Sequence, residues 1–380
     1  RRGGRLTVID PNRTRTAETA DRHIAPRPGT DGALLFAVVN VLFDEDLMDP
    51  ELGGLAPYVS GVEEVRAAAL EFSPDAVAEH CGVTAHQIRA LARDIAAGPR
   101  TAVYGRIGTS TVAFGTITSW LVDVINLLTG NLDRPGGVMF ANSPIGPAPR
   151  PPRPGRGFSI GRWSSRVSGH PEVASELPTA LLPEEIDTPG EGRIRAMVTI
   201  AGNPVLSAPD GERLSAALVG LDFMVSVDPY LHETTRHADV ILPPTSALER
   251  DQYDLVFHGF AVRNTARFTP AVFAKPDDAR HDWEIFRDLT ERVQSRAGVG
   301  LKDRLATKAR LAPSPAVVVT GLLKTGGRTT MRALRKHPEG VDLGPLRPTM
   351  PERLQTADKR IDLAPELVVA DLERVRAAFT

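Results

Sequence analysis

The sequence contains one cysteine, Cys81, in 380 residues. No disulfide framework, no cysteine-ligated cluster within the chain and no multi-cysteine zinc site can be assembled from it. That usage fits a reducing compartment, so a cytoplasmic protein is expected. Cys81 itself, beside Gly82 between two helical stretches, reads as a packing residue. No run of 18 apolar residues occurs, which excludes a membrane-spanning helix. The formal net charge is only −2, so there is no bulk electrostatic case for nucleic acid or a membrane surface. His232 and His237 fall five positions apart, and two such rings would not share a helix face, which excludes a His-Glu-x-x-His zinc helix. Gly-x-Ser-x-Gly, a P-loop and Gly-x-Gly-x-x-Gly are all missing. The chain opens Arg-Arg-Gly-Gly without Met, and no apolar signal core follows. A twin-arginine signal is therefore rejected, and the expectation is a chain that begins within a larger protein.

What is present is an ordinary globular composition, 42% hydrophobic and 24% charged, long enough for two or three domains. The most informative stretch runs from Leu221 to Pro244. Phe223 to Val227 is a short apolar run of the buried-strand type, stopped by Asp228-Pro229. Glu233 to Arg236 suits a turn of helix. Val240 to Leu242 is apolar again, and Pro243-Pro244 forbid its continuation. Upstream, a strand over Ile194 to Ile200 ends in Gly202-Asn203-Pro204. In an open parallel sheet, ligands bind beyond the carboxyl ends of the strands. Asn203 and Asp228 would stand side by side there. Each alone is an ordinary turn residue before proline; the pair at matching strand ends points to a nucleotide site.

The same logic applies nearer the start. Leu6 to Ile9 is a strand that ends at Asp10-Pro11, an acid suited to ribose hydroxyls, with Arg13 as a phosphate or base partner. Thr16 to Asp21 reads as helical and His23 to Ala25 as extended. Arg27-Pro28-Gly29-Thr30-Asp31 leads into a helix over Gly32 to Phe43, with Thr30 or Asp31 as its N-cap. Helices follow from Ser73 and over Thr84 to Ala97, the latter with Ile88, Leu91, Ala92 and Ile95 on one face. Thr101 to Tyr104 reads as a strand, Gly105 to Ser110 as a glycine-rich turn, and Phe114 to Leu128 as a long apolar helix closed by Gly130. Residues 141–192 are rich in Pro, Gly and Arg and read as an extended loop without a core of its own, with Trp163 a local anchor. Trp283 to Val293 is helical, with Asp282 in the N-cap position, and the chain closes on a helix over Ala364 to Phe379.

Taken jointly, several motifs acquire a specificity that none has singly. Asp10-Pro11-x-Arg13-x-x-x-Ala17-x-x-Ala20-Asp21 is followed by Arg27-Pro28-Gly29-Thr30-Asp31-x-Ala33-Leu34. Then come Leu128-Thr-Gly-Asn-Leu-x-Arg134-Pro-Gly-Gly137, Gly202-Asn203-Pro204, Ala238-Asp-Val-Ile-Leu-Pro243 and Glu249. In order and spacing these resemble the molybdopterin oxidoreductase family, the dimethyl sulfoxide reductase superfamily with its formate dehydrogenases and nitrate reductases. The resemblance runs over residues 1 to about 293. It implies an α/β fold of two Rossmann-like parallel-sheet lobes, of the type of the family's second and third domains. These would occupy 1–133 and 134–293, with 294–380 a connector toward a C-terminal β-barrel domain outside the chain. It implies bis(molybdopterin guanine dinucleotide) with molybdenum as cofactor. The implied contacts are Asp10, Arg13, Gly29, Thr30, Asp31, Tyr104, Gly105, Gly108, Asn203, Val227, Asp228, Arg250 and Asp282. Some members carry Gln where Gly108 stands and Lys where Arg250 stands, departures that touch the contacts expected there. The family's 4Fe-4S cysteines and its molybdenum ligand would lie upstream of residue 1. The implied activity is two-electron redox of a small-molecule substrate, formate oxidation first and reduction of nitrate or another oxo acceptor second. An electron-transfer partner subunit would accompany it. The alternatives are a structural subunit akin to the large iron-sulfur subunit of respiratory NADH dehydrogenase, and a nicotinamide dehydrogenase, which the missing glycine fingerprint disfavours.

Overall fold

The structure, a computed structural model, describes residues 3–98, 100–145 and 160–378. Arg1-Arg2, Pro99, residues 146–159 of the Pro/Gly/Arg-rich stretch and Phe379-Thr380 lie outside the described residues. The chain divides into two compact units. One comprises Arg1–Asn142, Gly259–Asn264 and Gly344–Thr380, the other Ser143–His258 and Thr265–Leu343.

In the first unit, β1 (Thr7–Ile9) and β2 (Arg22–Ile24) pair in parallel with Val8 opposite His23. They are joined by α1 (Arg15–Thr19), whose N-cap Thr14 accepts from the N–H of Ala17. α2 (Asp31–Asp44) is apolar on nearly every side, and residues 32–39 are all buried, so it forms the axis of the core. β3 (Val59–Ser60) precedes α3 (Val62–Ala69), α4 (Pro74–Cys81) and α5 (Ala85–Ala97), and these three helices pack on α2. Thr84 and Gln87 close a reciprocal cap at the start of α5. α6 (Ile107–Ser110) is one turn, and α7 (Gly115–Leu128) covers another side of α2. Cys81 is buried, and burial pushes its thiol up to about 11.

The strand expected over Thr101 to Tyr104 is corrected. These residues pair with no strand among the described residues. Side chains stand in for a ladder: Asn131 Oδ1 accepts from Thr101 N–H at 3.2 Å, and Asn126 Oδ1 accepts from Val103 N–H at 3.0 Å. Asn126 Nδ2 also donates to Val103 O at 2.8 Å.

In the second unit, β4 (Ile160–Ser164) and β5 (Pro171–Val173) form an antiparallel pair, followed by α8 (Leu182–Asp187). The loop expected over 141–192 is thus corrected where it is described. Its hairpin rests on a charge pair rather than an apolar run: the fully buried Glu172 accepts from Arg162 Nη2 at 2.5 Å and from Ser175 N–H at 2.6 Å. Arg162, chiefly by that hydrogen bond, holds the carboxyl down at about 2. Ile186 of α8 is buried with Leu214 and Met224. Composition reports neither feature. Trp163 is 46% exposed and anchors little.

β6 (Ala196–Ile200), α9 (Pro204–Ser207), α10 (Gly211–Leu218), β7 (Phe223–Val227) and β8 (Val240–Ile241) follow. The three strands form a parallel sheet in the order β6-β7-β8, with Ile200 opposite Val227 and Val225 opposite Val240. Two small antiparallel pairs come next: β9 (Gln252–Tyr253) with β11 (Phe268–Thr269), and β10 (Thr265–Ala266) with β12 (Val341–Asp342). Between them in the chain lie α11 (Asp282–Arg296), α12 (Leu301–Leu311), α13 (Pro315–Gly326) and α14 (Met331–Lys336). Val319, Leu323, Met331 and Leu334 bury against Ala266 and Phe268.

The chain then returns to the first unit with β13 (Ile361–Asp362), parallel to β3, and α15 (Glu366–Ala377). Trp120 Nε1 donates to Leu363 O at 2.8 Å, and Val368, Leu372 and Val375 enter the first core. Residues 294–380, expected as a single connector, are therefore divided between the two units. Asn264 fastens the return. Its Oδ1 accepts from Asn142 N–H at 2.8 Å, its Nδ2 donates to Pro345 O at 3.0 Å, and its own N–H donates to Gly344 O at 3.0 Å. The protein is α/β, with small parallel sheets.

Candidate functional site

At the carboxyl end of β1, Asp10 Oδ1 accepts from Asn12 N–H at 2.8 Å, and Asp10 O lies 2.8 Å from His23 Nε2. Arg13 follows in an exposed turn. Gly29 has φ +84°, a left-handed conformation that a side chain rarely adopts, and it sets the turn into α2. Thr30 occupies the N-cap position, yet its hydroxyl donates back to Arg27 O at 2.7 Å and caps nothing. Asp31 is the first helical residue rather than the cap. Burial, and after it the charge of Asp10, raise its carboxyl above the ordinary aspartate range. Its own backbone N–H works in the opposite direction.

Asp31 lies in the wall of a cleft of about 760 Å³ inside the first unit. Ile9, Tyr104 and Gly105 line the same cleft. Tyr104 is 65% exposed, and its hydroxyl accepts from Arg106 Nη1 at 3.1 Å. Gly108, on α6, has open space where a Cβ would stand. Asp31, Tyr104 and Gly105 are thus brought into one cleft. Asp10 stands near Asp31, while Arg13 and Gly108 are not in the cleft wall.

In the second unit, Asn203 and Asp228 follow adjacent parallel strands whose ends are tied by Ala201 N–H donating to Val227 O at 3.0 Å. Val227 is buried and serves this register. Asn203 Nδ2 donates to Glu233 Oε2 at 2.7 Å, and Asn203 Oδ1 accepts from Thr234 Oγ1 at 2.7 Å. The hydrogen bond from Asn203 Nδ2, first, holds the Glu233 carboxyl below its usual range. Asp228 is 6% exposed; its Oδ1 accepts from Tyr230 N–H at 2.8 Å and its Oδ2 lies 3.3 Å from His232 Nε2. Thr234 and Thr235 are fully buried and pin the turn. His232, Glu233 and Thr234 were missed as members of this group. Their signal was the polar run that follows the strand-end Asp.

Beyond the carboxyl end of β8, Thr245 N–H donates to Arg280 O at 2.9 Å, and Thr245 Oγ1 lies 2.7 Å from His281 Nδ1. This seats the start of α11 at that strand end. His281, not Asp282, is the N-cap, in a reciprocal cap with Glu284. Asp282 is corrected to the first helical residue, where the helix dipole favours an acid. Its Oδ2 accepts from Arg250 Nη1 at 2.6 Å, and its Oδ1 is buried with no hydrogen-bond partner among the described residues. Acceptors therefore follow the carboxyl ends of all three parallel strands, and one of them has a buried oxygen to spare. Among the described residues no group of three or more His, Cys, Asp or Glu could hold a metal ion, and no helix is long and apolar enough to cross a membrane.

The sequence pattern described as "Molybdopterin oxidoreductase" matches residues 2–292. The alpha subunit of F420-dependent formate dehydrogenase from Methanocaldococcus jannaschii is 26% identical over 310 residues, 77% of this chain and 43% of that protein. A nitrate reductase from Symbiobacterium thermophilum is 30% identical over 310 residues, 76% of this chain and 40% of that one. Formate dehydrogenase H of Escherichia coli is 28% identical over 312 residues, 77% of this chain and 42% of that one. Acetylene hydratase from Pelobacter acetylenicus shares the fold, with a TM-score of 0.75 over 97% of this chain and 52% of that one, at 19% identity. The chain spans about two fifths of the length of these curated relatives.

Proposed function

This chain belongs to the molybdopterin oxidoreductase family, and from that membership we infer that it is the nucleotide-holding central part of a formate-oxidising enzyme built on molybdenum and two molybdopterin guanine dinucleotides. The observation that carries the nucleotide reading is the row of acceptors at the strand ends, with the buried Oδ1 of Asp282, unpartnered among the described residues, at its end. A guanine edge presents two parallel N–H donors, and a carboxylate is the side chain with two acceptor oxygens to meet them. The residues present therefore fit the group. In the first unit Asp31 offers a carboxylate whose charge is poorly solvated and gains from any donor. Asp10 and Thr30 stand beside it, Gly29 sets the turn, and Arg13 and the open flank of Gly108 suit phosphate or pterin. In the second unit Asn203, Asp228 and Asp282 are the acceptors, Val227 keeps the strand end in place, and Arg250 holds Asp282 and can reach an anionic group. Tyr104 and Gly105 offer an aromatic face and a close backbone approach. When bound, the cofactor supplies two-electron redox capacity at molybdenum; these side chains bind and orient it.

Formate as substrate is supported by the formate dehydrogenases among the relatives. Nitrate reduction is the second reading, favoured by the 30% identical Symbiobacterium protein. A 4Fe-4S cluster, an electron-accepting partner subunit and a cytoplasmic location belong to the same proposal. The test is elemental and nucleotide analysis of the complete protein, with turnover of formate and of nitrate against an artificial dye. Molybdenum, released guanine nucleotide and formate-dependent dye reduction are expected. Nitrate turnover alone selects the second reading. Absence of both metal and nucleotide selects a structural subunit.

A further inference from the structure

The net charge of −2 conceals an uneven distribution. Residues 292–336 hold eleven lysines and arginines and one acid, Asp303, in a chain that elsewhere has more acids than bases. The segment runs from the end of α11 through α12, α13 and α14, all in the second unit. Helices in proteins owe most of their stability to packing one face against the rest of the molecule. α12 buries no residue. Gln294 Nε2 of α11 donates to Thr307 Oγ1 of α12 at 3.2 Å, and Lys308 Nζ lies 3.6 Å from Glu291 Oε2. These contacts leave the stripe Leu301, Leu305 and Ala309 uncovered, with Leu301 69% and Leu305 57% exposed. At helical spacing Lys302 and Lys308 border the stripe on its two sides, and Asp303 falls on the far side of the helix. α11 ends on exposed Arg292, Val293 and Arg296. α13 buries Val319 and Leu323 but leaves Val317 and Val318 exposed.

We propose that the basic segment 292–336, led by α12, docks on an anionic lipid bilayer, with α12 lying in the headgroup layer, its leucines toward the acyl chains and its bases on lipid phosphates. A helix that combines an exposed aliphatic stripe with flanking bases partitions into that layer, and long Lys and Arg stems let the charges reach back to the headgroups. The charge is complementary to phosphate, and the composition favours a bilayer over other anionic partners. The segment contains no Phe, Tyr or Trp. Single-stranded nucleic acid is gripped by aromatic stacking, and it offers exposed Leu and Val little. Protein interfaces are anchored by aromatic side chains seated in pockets. A bilayer imposes no shape on what enters it, so scattered aliphatic side chains among bases suit it. The inference goes beyond the cofactor reading and does not rest on it.

Co-sedimentation of the complete protein with vesicles tests it, with phosphatidylcholine alone and with phosphatidylcholine and phosphatidylglycerol in equal parts. The protein should partition into the mixed vesicles at least ~10-fold more strongly than into the neutral ones, and binding should weaken as salt rises above about 0.1 M. Leu301→Gln with Leu305→Gln, and separately Lys302→Gln with Lys308→Gln, should each lower that partition ~10-fold. The melting temperature should stay unchanged, because these side chains are exposed. Equal binding to both kinds of vesicle would overturn the proposal, and so would binding that neither double variant weakens. Retention on a DNA oligonucleotide without vesicle binding would assign the bases to nucleic acid. Failure to bind either would leave the stripe to another protein surface. Both of these outcomes overturn the proposal as well.

Discussion

Position 31 holds a carboxylate where burial works against its charge. An acid whose folded pKa is raised favours the folded state below its unfolded value, near 3.8, and loses that contribution as pH rises through the folded value. Asp31→Asn should therefore raise the melting temperature at pH 7, with the gain fading as pH falls through the raised folded value and gone below about pH 3.8. The same change should lower bound guanine nucleotide in the complete protein, because Asn sets a donor against a donor. An N-cap Asp would behave otherwise, since Asn replaces it at little cost. Asp228 differs because its oxygens already have partners. Asp228→Ala should cost about 1–3 kcal/mol of stability in chemical denaturation by leaving Tyr230 N–H unmet. Asp228→Asn keeps an acceptor for that N–H and should recover most of the loss, while guanine content stays low. Asn203 and Asp228 were legible because each follows an apolar run and precedes proline. Glu233 and Thr234 were not, because they reach Asn203 only once β6 and β7 pair some thirty residues apart.

Elements with their own local signal were the readable ones. α5 declares itself through Ile88, Leu91, Ala92 and Ile95 and its Thr84 cap. The segment 101–104 has strand composition, but strand identity needs a neighbour, and composition does not report one. The β4-β5 hairpin has little apolar content and is held by Glu172 and Arg162. With its folded pKa lowered, Glu172 contributes stability that is present above about 4.5 and lost as pH falls toward about 2. Glu172→Gln should lower the melting temperature at neutral pH, and the gap to the parent should close across that window. Tail packing on β3 can be probed at Gly61, which has φ +87° and whose added Cβ would stand 2.8 Å from Ala364 N. Gly61→Ala should cost about 1–3 kcal/mol, through left-handed strain and displacement of β13, read as a shift in the denaturation midpoint.

At the scale of the molecule, the division of residues between the units was the least legible feature, because it depends on contacts hundreds of residues apart. Trp120 bonded to Leu363, and Asn264 bonded to 142 and 345, have no local signature. Removing 344–380 strips Val368, Leu372 and Val375 from the first core. At about 1.5–3 kcal/mol for each side chain, that approaches the whole stability of an ordinary domain. The truncated chain should lose the near-ultraviolet signal of Trp120 and the cooperative melting of the first unit. The chain passes between the units at 142/143, 258/259, 264/265 and 343/344. On the ribosome this fixes a sequence of events. The second unit has all its residues once Leu343 has emerged, whereas the first, though begun before it, waits for α15. During that interval the first unit must be held open for α15, so its residues stay exposed to chaperones and proteases longer than those of the second unit.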